Sequence, residues 1–174
     1  LLTQKGNFVE AEEIYLNLIK IGKNNNKENS VSFARILNNL AVLYKKQCKY
    51  DLAYPYISKA INIWKNLSSS DYSNFAAAFH NQGELYKAQG KYILAIESFK
   101  NGIGLLDISI EGFYEQYIEQ SYSLINLYLK MGKKEESKNL LDIINNIRSD
   151  RGETNITLEN LPDEIYEECS SSNI

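Results

Sequence analysis

The apolar residues of this chain recur at steps of three and four positions, without the strict alternation that is typical of β-strands. Such spacing places apolar side chains along one face of a helix. The pattern predicts seven amphipathic helices, near residues 8–21, 31–47, 50–66, 73–89, 92–106, 113–131 and 134–148. We therefore expect an all-α protein.

The helices repeat with a fixed period of 42 residues. Equivalent turns begin at Gly6, Cys48, Gly90 and Gly132. A small residue follows each turn, at Ala11, Ala53, Ala95 and Ser137, and a tyrosine precedes three of the turns, at Tyr44, Tyr86 and Tyr128. Because a constant period of this length is typical of stacked helix pairs, the sequence predicts an α-solenoid.

Glycine and alanine mark the turns and the helix contacts. A glycine that ends a helix can take the left-handed conformation, and Cys48 at one of these positions should strain its turn by about 1 kcal/mol. Small residues inside the helices predict close contacts between backbones; they are Ala41, Ala53, Ala60, Gly83, Ala95 and Gly102. Ile125 and Ile144 replace them in the last unit, as suits a terminal repeat.

The motifs resemble a known repeat family. Residues 37–44, Leu-Asn-Asn-Leu-Ala-Val-Leu-Tyr, followed by Lys-Tyr-Asp-Leu-Ala at residues 49–53, are similar to the tetratricopeptide repeat pattern. The 42-residue period resembles the kinesin-light-chain subclass, and the likeness covers about residues 6–149. The resemblance implies antiparallel helix pairs stacked into a right-handed superhelix.

The repeat divides the chain into five parts. The expected parts are the second half of a truncated first repeat at residues 1–22, repeats at 31–66, 73–106 and 113–149, and a capping helix with a flexible tail at 150–174. The capping helix should begin at Pro162 and cover the last pair with Leu161, Ile165 and Tyr166.

The resemblance implies a ligand groove, because first helices form the concave wall in this family and hold extended peptides or helices. Asn39 and Asn81 match groove asparagines that hydrogen-bond a ligand's main chain, whereas Ser123 takes that position in the last repeat. By helical phase the wall also includes Arg35, Asn38, Val42, Lys45, Lys46, His80, Glu84, Lys87, Glu119, Tyr122 and Asn126. The alternative for the lysines is a solvated position that the helix dipole favours.

Composition narrows the function further. A net charge of -3, with lysines scattered among glutamates, disfavours nucleic acid as a partner, and no run approaches the roughly 18 apolar residues of a membrane span. His80 is the only histidine and has no Cys or carboxylate at ligand spacing, so we expect no metal and no cofactor. Cys48 and Cys169 match no metal or redox spacing, which argues against a disulfide and favours the cytoplasm.

No catalytic arrangement is predicted, because the adjacent glutamates diverge on their helices and the serines lack a nearby base. The leading hypothesis is a non-catalytic scaffold or adaptor that binds a protein or peptide partner in the groove. One alternative is a peptide-sensing module that controls an attached effector domain. Another is a structural spacer or oligomerisation array, with self-association through the truncated N-terminal repeat.

Overall fold

The computed structural model describes residues 7–67 and 71–161. These ranges hold seven α-helices, which are α1 (Phe8–Asn24), α2 (Val31–Lys46), α3 (Tyr50–Leu67), α4 (Tyr72–Ala88), α5 (Tyr92–Ile103), α6 (Phe113–Lys130) and α7 (Lys134–Asp150). A short 3-10 helix follows at Leu158–Asn160. The described ranges contain no strand, and every helix begins and ends within one helical turn of its predicted limits. The all-α prediction is confirmed.

Packing follows the order of the helices along the chain. The closest pairs are α2 with α3, α4 with α5, and α6 with α7, and short turns make each of these pairs antiparallel. The first helices α2, α4 and α6 also contact one another, and they do so more than the second helices α1, α3, α5 and α7. The first helices therefore form the inner layer of a curved array, and the second helices form the outer layer.

The turns within the pairs share one backbone conformation. Cys48, Gly90 and Gly132 have φ angles of 61°, 72° and 71°, so all three are left-handed. In each turn the next amide N–H bonds to the carbonyl oxygen of the preceding tyrosine, at 2.9 Å for Lys49 to Tyr44. These bonds satisfy carbonyl groups that would otherwise lack a partner at the helix end. The predicted strain at Cys48 thus has a structural basis.

Cys48 is disulfide-bonded in the structure. The prediction from the cysteine spacing, which argued against a disulfide, is therefore wrong. The other cysteine, Cys169, lies outside the described residues, as does the capping helix predicted from Pro162.

Glycines bring α4 and α5 close together, as their spacing predicts. A Cβ added at Gly83 would lie 2.5 Å from a ring carbon of Phe99, and one added at Gly102 would lie 2.9 Å from the backbone oxygen of Ala76. Both distances are shorter than van der Waals contact, so neither position accepts a larger residue without movement of its neighbours. The two glycines fix the separation of this pair.

Tyrosines join the first helices α2 and α4 to the second helix that precedes each of them. Tyr44 donates its hydroxyl to the Glu12 carboxylate at 2.9 Å, and Tyr86 donates to the Tyr54 hydroxyl at 2.9 Å. Burial, together with the bond to Tyr54, raises the pKa of Tyr86 to about 12. The tyrosines therefore pack at the seams between pairs, as their spacing predicts, and also bond across them.

Candidate functional site

One face of each first helix remains open to solvent on the inner layer. On α2 it carries Arg35, Asn39, Val42 and Lys46, of which Arg35 and Asn39 are exposed and the other two are half-buried. We name this face, together with its equivalents, the first-helix stripe. The equivalents are Ala77, Asn81, Glu84 and Ala88 on α4, and Glu119, Ser123, Asn126 and Lys130 on α6. Because α2, α4 and α6 contact one another, the stripe is continuous across three repeats.

The two predicted groove asparagines lie at equivalent positions of the stripe. Asn39 is exposed on α2, and Asn81 is half-buried on α4. The Asn81 side chain donates a hydrogen bond to the Asn38 Oδ1 atom at 3.2 Å. This bond joins α2 to α4 and holds the Asn81 amide beside the open face.

Five of the predicted wall residues lie off the stripe, on flanks of their helices that pack against other helices. Asn38 and Lys87 are each only 8% exposed, whereas Lys45, His80 and Tyr122 are half-buried. The His80 ring packs 5.2 Å from the Phe99 ring, measured between centroids. Tyr122 packs against the apolar cluster of α6 and α7.

Lys87 illustrates why helical phase alone misplaces such residues. Its ammonium group pairs with Glu84 at 2.8 Å and lies 6.0 Å from the centre of the Phe99 ring. A long side chain can thus bury its stem while its charge bonds a neighbour on the same helix. The stripe itself keeps eight of the predicted residues, namely Arg35, Asn39, Val42, Lys46, Asn81, Glu84, Glu119 and Asn126.

Arg35 is held by a carboxylate that the sequence analysis did not connect to it. Its Nε and Nη2 atoms donate to both oxygens of Asp71, at 3.0 and 3.1 Å. Asp71 also accepts from the Trp64 indole at 3.3 Å and from the Asn74 amide at 2.8 Å. Burial tends to raise the pKa of Asp71, but these bonds and the Arg35 charge outweigh it and hold the pKa below its ordinary value.

The network around Asp71 fixes one end of the stripe. It connects α2, the end of α3 and the start of α4, so Arg35 is oriented before any ligand arrives. Its only signal in the sequence is an aspartate just before a helix. Asp71 immediately precedes α4 but makes no side-chain capping bond, whereas Ser30 caps α2 by accepting from the Phe33 N–H at 3.2 Å.

The described residues contain no group of His, Cys, Asp or Glu side chains that is arranged to hold a metal ion. Among the helices of the described ranges, none is long and apolar enough to cross a membrane. The charges of the stripe are mixed, with Lys46 and Lys130 at the carboxyl ends of their helices and Glu119 on α6. What the stripe offers is therefore amide and charged side chains on a concave wall.

Comparison with known proteins gives one family and one fold. The tetratricopeptide repeat family matches residues 32–105. The structure is similar to BtubC (BKLC) from P. vanneervenii, with a TM-score of 0.77 and 21% identity, over 95% of this chain and 66% of that chain. It is also similar to a Podosopora anserina protein described as a kinesin light chain with nearly identical TPR-like repeats, with a TM-score of 0.74 and 18% identity, over 86% of this chain and 71% of that one.

No curated protein matches the sequence. This chain spans 66% of the length of BtubC, and the likeness to the two solved structures concerns the fold. The family match covers α2 to α5 apart from the first residue of α2, and the 42-residue period extends the same pattern to both sides. Repeats of this family generally mediate contacts between proteins and are typically non-catalytic. Residues 32–105 thus match the tetratricopeptide repeat family, and the fold of the described residues is similar to that of a solved kinesin light chain with TPR-like repeats.

Proposed function

We propose that the first-helix stripe binds an extended segment of a partner protein, and that the chain acts as a non-catalytic scaffold or adaptor. The observation that supports this proposal is the position of Asn39 and Asn81, at the same point of two neighbouring helices. Packed helices are about 8–10 Å apart, and an extended chain rises about 3.3 Å per residue. A peptide that crosses the stripe therefore meets the second asparagine about three residues after the first.

Side-chain amides suit this task because each one both donates and accepts a hydrogen bond. The amide of Asn39 is exposed, so it can bond a peptide N–H and carbonyl in turn. Asn81 donates to Asn38, which leaves its carbonyl oxygen to accept from a ligand N–H. The neighbouring positions Val42 and Ala77 are small and apolar, and leave room for ligand side chains.

The test is a screen of an immobilised peptide library with the unmodified chain and with the double variant Asn39→Ala/Asn81→Ala. Loss of two main-chain hydrogen bonds should weaken binding about 10-fold or more, because each contributes roughly 0.5–1.5 kcal/mol. The matched control is Asn62→Ala/Asn139→Ala, which removes two exposed asparagines from the outer helices α3 and α7.

Circular dichroism should show that both double variants keep their helices. Peptides that bind the stripe should lose affinity for the first variant and keep it for the control. Equal binding by the two folded variants would exclude the assignment of the stripe as the ligand surface.

Exposed apolar side chains on α1 favour a second candidate function, self-association of the array. Ile14, Leu18 and Ile21 are 39%, 38% and 54% exposed, whereas the residue equivalent to Leu18 in α3, Ala60, is fully buried. Sedimentation velocity should show concentration-dependent association that Leu18→Glu reduces. A chain that stays monomeric at high concentration would rule this candidate out.

A further inference from the structure

The chain turns back on itself immediately after α7. Gly152 has a φ angle of 76°, and the amide groups of Arg151, Gly152 and Glu153 bond to carbonyl oxygens of Arg148 and Ser149 at 2.9 to 3.0 Å. The next residues, 153–157, form no helix, and Thr157 is extended. We name residues 153–156 the return segment. It lies along α7.

Side chains of α7 bond the main chain of the return segment. The Asn145 amide donates to the Ile156 carbonyl oxygen and accepts from the Ile156 N–H, both at 2.8 Å. The Arg148 Nε atom donates to the Thr154 carbonyl oxygen at 2.9 Å. Because every peptide has these main-chain groups, such bonds do not depend on which side chains the bound segment carries.

Two side chains of the return segment add selectivity. The Glu153 carboxylate pairs with Arg148 at 2.9 Å, where the Arg148 side chain is only 17% exposed. Three residues later, Ile156 packs against the apolar cluster of α6 and α7, whose buried members are Tyr114, Ile118, Ile125, Leu141 and Ile144. The return segment is thus fixed by an acidic residue at its start and an aliphatic residue at its end.

The surface under the return segment is built from residues that do not belong to it. The Arg151 guanidinium stacks on the Tyr114 ring, 3.9 Å from its centre, and Ile144 of α7 is fully buried beside Ile118 of α6. The pKa of Tyr114 is raised by its burial and by the nearby Glu153 carboxylate. Tyr114, Ile118 and Ile144 with Asn145 and Arg148 therefore form a surface that has an apolar part and a peptide-bonding part.

We propose that this face of α6 and α7 is a second peptide-docking site, distinct from the first-helix stripe, which the chain fills with its own return segment. Its partner is an extended segment of another protein that carries a carboxylate followed three positions later by an aliphatic residue. The partner segment takes this place when the return segment leaves.

The covalent link favours the resident segment. A short linker gives an effective concentration in the millimolar range, so a free peptide with the same contacts competes poorly with the return segment. A free peptide can compete for the site once the return segment loses its own contacts. The site is therefore closed to weak ligands until the return segment is displaced.

The experiment uses the full chain and a fluorescent synthetic peptide with the sequence of residues 153–161. In the variant Glu153→Lys/Ile156→Asp the return segment loses both selective contacts, while every residue of the surface beneath it is unchanged. Fluorescence anisotropy should show at least about 10-fold tighter peptide binding to this variant than to the unmodified chain, because competition in cis is removed.

A matched pair of substitutions then locates the site. Asn145→Ala, added to the released variant, should lower peptide affinity at least about 10-fold, and Asn146→Ala, at the exposed neighbouring position, should leave it unchanged. A folded variant that does not bind the peptide, or binds it equally with and without Asn145, overturns the proposal. Asn39→Ala/Asn81→Ala should have no effect on this peptide, which separates the site from the first-helix stripe.

Hydrogen exchange on the unmodified chain gives a test that needs no released variant. The Ile156 amide is protected by Asn145, and it should exchange at least about 10-fold faster than the amides in the middle of α7, because the return segment must open without unfolding of the helix. Exchange of Ile156 only together with α7 would overturn the proposal.

Discussion

The central pair α4–α5 and the last pair α6–α7 fill equivalent positions in opposite ways. In the central pair, Gly102 on α5 lies beside Phe79 on α4. The equivalent residues of the last pair are Ile144 on α7 and Ser121 on α6, and both are fully buried. The bulky side chain has moved from the first helix to the second.

A second point of the two pairs shows no such exchange, because both positions carry large residues in the last pair. Gly83 contacts Phe99 in the central pair, and Ile125 and Leu141 take the equivalent positions in the last pair. The α4 and α5 helices also run closer together than α6 and α7. At the Gly102 point the two pairs therefore keep nearly the same summed side-chain volume, as a core tolerates, whereas at the Gly83 point the larger residues of the last pair accompany a wider separation of its helices.

The largest expected effect is in the last pair, for Ile144→Gly. It removes a fully buried side chain and places glycine inside a helix, so the free energy of unfolding should fall by about 4 kcal/mol in urea titrations. Adding Ser121→Phe should restore part of the loss, because the pair then carries the residues of the central pair. Losses that simply add in the double variant would contradict volume exchange.

In the central pair, Gly102→Ala should lower the free energy of unfolding by about 2 kcal/mol. The added Cβ would meet backbone at 2.9 Å, which cannot rotate away. Asn101→Ala, at the exposed neighbouring position, is the control and should change stability little. Thermal unfolding followed by circular dichroism measures both, and an equal response would show that α4 and α5 can separate freely.

The junctions that lead into the two pairs differ in polarity. Substitution there should change the free energy of unfolding less than the two substitutions above. Asp71 lies just before α4, whereas the equivalent residue of the last pair is Phe113, the first residue of α6. Since the folded pKa of Asp71 is lowered, its contribution is complete above about pH 4 and is lost as the pH falls through the folded pKa. Asp71→Asn should cost about 1.5 kcal/mol at pH 7, because Arg35 is half exposed and its charge is partly screened.

Urea titrations at pH 7 and pH 3 check this prediction. The difference in stability between Asp71→Asn and the unmodified chain should shrink at the lower pH. A difference that stays constant with pH would mean that the carboxylate charge does not stabilise the junction.

The smallest effect concerns the turns, which are left-handed in both pairs and at Cys48. Cys48→Gly should be about 1 kcal/mol more stable than Cys48→Ala, because only glycine takes a φ angle of 61° without strain. Both variants lack the thiol, so the disulfide does not enter the comparison. Equal unfolding midpoints in urea would show that this turn carries no strain.

The fold follows from the sequence because its determinants are local. The period of the apolar residues, the turn glycines and the small residues at the helix contacts all act within one repeat, and they place every helix. The placement of Asn39, Asn81 and Glu119 on the stripe follows from the same period.

The other features of the site depend on contacts between particular residues, which the repeat period does not predict. Arg35 and Asp71 are 36 residues apart, a spacing that differs from the 42-residue period. The other repeats have no equivalent pair, so the repeat pattern does not predict this contact. Asn38 looked exposed by helical phase, but α4 covers it. The return segment has no helical spacing at all, and its contacts are mainly to main-chain atoms, which leave no trace in the side-chain pattern.

The order in which the helices pack determines how the array extends under tension. Among the described residues, each helix contacts mainly the helices next to it along the chain. In such one-dimensional arrays, stability is a sum of nearest-neighbour couplings. Tension applied to the two ends is therefore borne by one coupling after another, so neighbouring pairs can separate in turn without unfolding of the whole array at once.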